Sequence, residues 1–125
     1  DHTLASIVLP MLKQLQETKH GSPFVDDKDV PKELRSTSAP PKENKWDTDA
    51  NHFLRWDWVL DEMIWAFEQK CRDDWESDYY KYDEAPEEQF GLKLVWEDRT
   101  AREAHQKRMT NGFKLFGKYY EGLWD

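Results

Sequence analysis

Residues 52–68, HFLRWDWVLDEMIWAFE, decide the fold. Phe53, Trp56, Leu60, Met63 and Phe67 recur every three or four positions and continue to Cys71. That spacing gathers side chains on one face of an α-helix. Leu54, Trp58, Ile64 and Trp65 make a second apolar face. Two such faces predict a helix sandwiched between other elements. The pattern places this helix over 49–75, with Asp47 or Asp49 as its N-cap.

The same stretch carries Asp57, Asp61, Glu62 and Glu68. Steps of four and seven keep Asp57, Asp61 and Glu68 on one stripe, with Glu62 one position off it. Such a stripe fits two roles. It can pair with cations on a neighbouring helix, or it can hold a divalent metal for phosphate chemistry. The second role needs carboxylates from another helix, and the last helix offers only Glu103 and Glu121. Pairing with the basic last helix is therefore the expected role. If Asp61 is buried against Arg108, Asp61→Ala should cost about 2 kcal/mol or more, because an unpaired buried charge is expensive.

The rest of the chain fits around this helix. Residues 3–18 read as a helix on Leu4, Ile7, Val8, Met11, Leu12 and Leu15, with Pro10 inside the run as a kink or a start. Residues 20–49 hold Pro23, Pro31, Pro40 and Pro41, and read as a long Pro-rich loop anchored by Phe24, Val25, Leu34 and Trp46. Residues 77–97 alternate in the manner of a β-hairpin, with the acidic EAPEEQ between its strands. A last helix is predicted from about Asp98 to Tyr120. The expected class is mainly α (α+β), one domain over 1–125. It has three principal helices, a small β-hairpin between the second and third, and the loop after the first.

Composition narrows the function classes. Seven tryptophans, five tyrosines and six phenylalanines in 125 residues predict a core of few, large pieces. The single Cys71 permits no intrachain disulfide, which fits a reducing compartment, and it reads as a small core residue. No run approaches the roughly 20 apolar residues of a membrane span. No signal peptide is legible, and a cytoplasmic protein without a membrane partner is expected. A net charge of −8 argues against a nucleic-acid backbone binder. The charge is uneven: residues 57–88 hold twelve acidic and three basic side chains, whereas residues 99–118 hold six Lys or Arg against one Glu.

The last helix carries the binding signal. Arg102, His105 and Arg108 fall at i, i+3 and i+6, and Arg108 sits between small residues, Ala104 and Gly112. Small neighbours allow either close helix packing around an ion pair or room for a planar anion. Arg offers forked donors to phosphate and stacks on aromatic rings. Trp58 and Trp65 could then line a site for a nucleotide-type ligand together with Arg102, His105 and Arg108. The four histidines, His2, His20, His52 and His105, do not supply the two Glu-x-x-His pairs of a di-iron bundle, so no metal or other cofactor is expected. No Gly-rich phosphate loop or nucleophile elbow is present.

The segments DHTLA, LPMLKQL, KHGSPFVDD, STSAPPKE, NHF-RWDWVLDEMIWAFE and AHQKRMTNGFKLFGKYYEGLWD together resemble a family of small proteins encoded by tailed bacteriophages. The resemblance covers nearly the whole chain. It implies a phage origin, the cytoplasm of an infected bacterium and an accessory role, and it supplies no activity. The expectation is a non-enzymatic accessory protein that binds and sequesters a host protein or a small anionic, nucleotide-type ligand, in a site that homo-oligomer formation could complete. A DNA mimic using the acidic 57–88 segment is one form of such host-protein binding, and the alternatives are a metal-dependent nucleotide hydrolase built on Asp57, Asp61 and Glu62, or a minor virion component.

Overall fold

The computed structural model describes residues 1–72, 74–84 and 92–124. Three helices dominate: α1 (His2–Thr18), α2 (His52–Cys71) and α3 (Arg99–Lys118). Strands β1 (Tyr80–Glu84) and β2 (Leu92–Glu97) lie between α2 and α3 as an antiparallel pair. The protein is mainly α with a small hairpin, and the Pro-rich loop follows the first helix. Tyr80 pairs with Glu97 and Glu84 with Leu92, and the ladder slips by one residue between Lys81 and Tyr82. Residues 85–91, most of the expected acidic turn, lie outside the described residues.

The core confirms that α2 is the central element. Trp56, Val59, Leu60, Met63, Ile64 and Phe67 are buried on it. Ala5 and Leu12 of α1 meet them from one side, and Leu115 and Tyr119 from the other. The α1 and α2 chains run antiparallel. The His2 ring lies 3.1 Å from the carbonyl of Cys71, while Lys19 pairs with Asp57 at 2.9 Å.

The helix ends differ from the periodic reading. α2 begins at His52 rather than 49, and Asp49 does not cap it. The Asp49 carboxylate instead accepts the Asn51 backbone N–H at 3.0 Å and binds Arg55, one turn into the helix. α2 ends at Cys71 rather than 75. Arg72 leaves the helix in extended geometry, its side chain reaches forward to Asp74 and Asp78, and the chain enters a short 3-10 turn, Trp75–Tyr79. Pro10 neither starts nor ends α1, which runs through it. The start of α3 is as expected, with the Asp98 carboxylate accepting the Ala101 N–H at 3.0 Å.

The long loop is strapped to the helices through polar contacts. It contains three short 3-10 turns, Asp27–Asp29, Lys32–Leu34 and Ser36–Ser38. Val25 and Val30 are buried, and Leu34 packs at the core edge. Phe24 and Trp46, expected anchors, are exposed instead. Their place is taken by hydrogen bonds. The Tyr119 hydroxyl donates to Asp29 (2.5 Å) and accepts the Asp26 N–H (3.0 Å). Arg55, only 1 % exposed, donates to both Asp49 oxygens (2.8 and 2.7 Å) and to the Leu34 carbonyl (3.2 Å).

Candidate functional site

The expected ligand-binding residues converge only in part, and the protein's own groups fill the place they make. His105 lies between aromatic rings. Trp75 stacks on it at 4.4 Å and 17°, Trp65 tilts against it at 5.0 Å, and Tyr79 meets it edge-on at 5.5 Å. The Tyr79 hydroxyl lies 2.7 Å from its Nδ1, a contact that fits either neutral tautomer. Burial pushes the imidazole below its ordinary pKa. Asp78 opposes this shift, and Arg72 and Arg108 add to it. His105 thus ties the turn after α2 to α3.

Arg108 is equally engaged. Its Nε and Nη2 donate to the two oxygens of Glu62 at 3.1 and 2.7 Å. Its guanidinium carbon lies 3.8 Å over the Trp65 ring. This is the forked carboxylate geometry and ring stacking expected of Arg, met by protein groups. Gly112, one turn on, leaves no room for a planar ligand because the α2 backbone occupies that space. Arg102 lies 3.6 Å from Glu97 and 5.7 Å from the centre of the Tyr80 ring. Trp58 is half-buried at the core edge.

The acidic stripe pairs mainly with α1, which corrects the expectation that it faces the basic last helix. Asp57 meets Lys19, the Gln16 side-chain amide donates to Asp61, and Glu68 meets Lys13 at 3.2 Å. Only Glu62 turns to α3. Asp61 is exposed and bonded to Gln16, so it is not buried against Arg108. Lys13, Gln16, Asp61, Glu62 and Glu68 line a crevice of about 490 Å³ between α1 and α2, bordered by Arg108. Among the described residues, no three His, Cys, Asp or Glu side chains are grouped to hold a metal ion. Among them too, no helix is long and apolar enough to cross a membrane.

A different surface stands out. Leu4, Ile7 and Met11 on α1 are 61, 55 and 66 % exposed, and Tyr120 and Trp124 at the C-terminal end are 59 and 61 % exposed. Met11, Tyr120 and Trp124 line a groove of about 490 Å³ together with Val8, Leu15, Phe116 and Leu123, and Leu4 and Ile7 continue from Met11 along α1. The residues whose spacing marks α1 divide in the structure: Leu12 is buried, Val8 and Leu15 pack at the core edge, and Leu4, Ile7 and Met11 are exposed. Two seams share this helix, and only Ala5 and Leu12 are fully covered. The signal in the sequence was the width of the apolar pattern, which wraps more of the helix than one neighbour can bury.

No family model, curated protein or solved structure matches the chain.

Proposed function

We propose that this chain is a non-enzymatic binding protein that captures a partner protein through the apolar face of α1 and the C-terminal turn. The observation that carries the reading is the exposed set Leu4, Ile7, Met11, Tyr120 and Trp124, of which Met11, Tyr120 and Trp124 line an apolar groove and Leu4 and Ile7 continue from Met11 along α1. A contiguous exposed apolar patch is the mark of an interaction surface, and aromatic side chains are frequent interface anchors. The resemblance to phage accessory proteins supports a host protein as partner and the infected bacterial cytoplasm as the place of action. Small-anion capture by Arg102, His105 and Arg108 has less support, because Glu62, Trp65, Trp75 and Tyr79 already occupy Arg108 and His105. Hydrolysis on Asp57, Asp61 and Glu62 has less support as well, since Lys19, Gln16 and Arg108 engage those carboxylates.

The test compares the wild type with Ile7→Asp as bait in lysate of an infected bacterium. A captured protein is then purified and titrated against both by calorimetry. The reading requires a protein that binds the wild type and loses the variant, with the far-UV circular dichroism of the two unchanged. Equal binding by both baits would overturn it.

A further inference from the structure

The apolar face raises the question of what covers it when no partner is present. Ten consecutive residues, Thr3–Leu12, carry no charge in a chain that is 35 % charged. Leu4, Ile7 and Met11 step by three and then four, the spacing of a helix-to-helix seam. They form a ridge on the exposed side of α1. The ridge meets the groove walled by Val8, Leu15, Phe116 and Leu123 at Met11, which lines that groove too.

We infer that in the free protein this face is covered by a second copy of the same chain, in a two-fold dimer that seats the ridge of each copy in the groove of the other. The inference rests on the same reading of the face as a docking surface, and it adds that self-association competes with partner capture.

Three arguments favour a second copy over a short peptide. The first is shape. A peptide in the groove would leave Leu4 and Ile7 in water, whereas a second copy covers ridge and groove together. In a two-fold interface every contact is made twice, so one ridge beside one groove is a self-complementary set. The second is area. Five side chains exposed to this degree present on the order of 600 Å² of apolar surface, at the upper end for a monomer's largest patch and near the roughly 800 Å² per partner of a standard interface. The third is charge. Two copies that each carry −8 repel, and on the α1 side of the face the ten uncharged residues let them meet without bringing carboxylates together or stripping water from a charge, which leaves Glu121 of the C-terminal turn as the carboxylate at its edge.

The experiment is sedimentation of the purified chain alone, from about 1 μM to 1 mM, the range in which weak and moderate interfaces titrate. Wild type is expected to pass from monomer to dimer within this range. Ile7→Asp and Met11→Lys each place a charge in the seam twice, and each should raise the dissociation constant by about 30-fold or more, the effect of losing a hot-spot contact. Lys107→Asp, on an exposed position of α3, should leave the constant unchanged. Both seam positions are exposed in the single chain, so circular dichroism should show that the variants fold. A wild type that stays monomeric throughout overturns the dimer and leaves partner capture standing. A dimer that persists in both seam variants also overturns it, because the contact then lies elsewhere.

Discussion

Gly112 of α3 lies directly against Ala66 of α2: a β-carbon on residue 112 would stand 2.5 Å from that of Ala66 and 2.7 Å from the backbone oxygen of Glu62. Real carbon atoms do not approach so closely, and a backbone oxygen cannot rotate away as a side chain can. Gly112→Ala must therefore push α3 off α2, although alanine is the better helix former. The same shift would part Arg108 from Glu62 one turn earlier. The expected cost is about 2 kcal/mol, within the range for an overpacked core. A urea midpoint lowered without a change in slope would show it. A midpoint at or above that of the wild type would mean that the two helices do not touch here.

The Asp49–Arg55 pair makes the loop sensitive to acid. Hydrogen bonds from Arg55 hold the Asp49 carboxyl down at about 2, below its usual 3.8. The folded state therefore releases this proton more readily than the unfolded chain. The stability it confers is fully present above about pH 4 and is lost as pH falls from there towards 2. At neutral pH the shift corresponds to about 2 kcal/mol. Asp49→Asn should cost more than that, about 3 kcal/mol, since it leaves Arg55 buried without its counter-ion. It should also flatten the loss of stability between pH 4 and 2, which thermal melts across that range would measure. An unchanged acid limb would show that Asp49 does not hold Arg55.

Glu62 and Asp61 are neighbours in sequence with different roles. Glu62 is largely buried in a forked pair with Arg108, while Asp61 is exposed with a single bond from Gln16. Asp61→Ala should change stability by less than about 0.5 kcal/mol, as surface substitutions usually do. A double-mutant cycle on Glu62→Ala and Arg108→Ala should give a coupling of about 1 kcal/mol, the upper end for a pair with one half-exposed partner. A cycle on Asp61 and Arg108 should give none. The reverse order would place Asp61, not Glu62, against Arg108.

The helices were legible because large apolar residues recur on α2 at helical spacing. The hairpin was legible from alternation. The polar partnerships were not, since a pattern of one residue type does not say which neighbour it meets. Asp57, Asp61 and Glu68 fit cations on either flank. Lys13 and Gln16 on α1 and Lys19 just past its end, three apart in sequence, were the overlooked match, and antiparallel packing brings them opposite the stripe. Arg55 was invisible for a related reason. A lone basic residue in an apolar run is expected to face water, and Asp49, brought back by the turn before α2, makes its burial tolerable together with the Leu34 carbonyl. Small residues beside Arg108 allowed a ligand or close packing, and the approach of Glu62 and Ala66 to Gly112 selects packing.

His105 supplies a further pH response, near neutrality. Every element packed on it contributes: Trp65 from α2, Trp75, Asp78 and Tyr79 from the following turn, and Arg108 from its own helix, with Arg72 also felt. Burial lowers its pKa, so the folded protein binds this proton less readily than the unfolded chain, whose histidine titrates near 6.5. The stability conferred by neutral His105 is fully present above that value and falls as pH drops through the folded pKa. The turn carrying Trp75 and Tyr79 should therefore loosen below about pH 6.5. Denaturant midpoints at pH 7.5 and 5.5 should differ in the wild type, and the part of that difference due to His105 should vanish in His105→Phe, which keeps a ring between the tryptophans. An equal difference in both proteins would show that His105 is not the group that titrates.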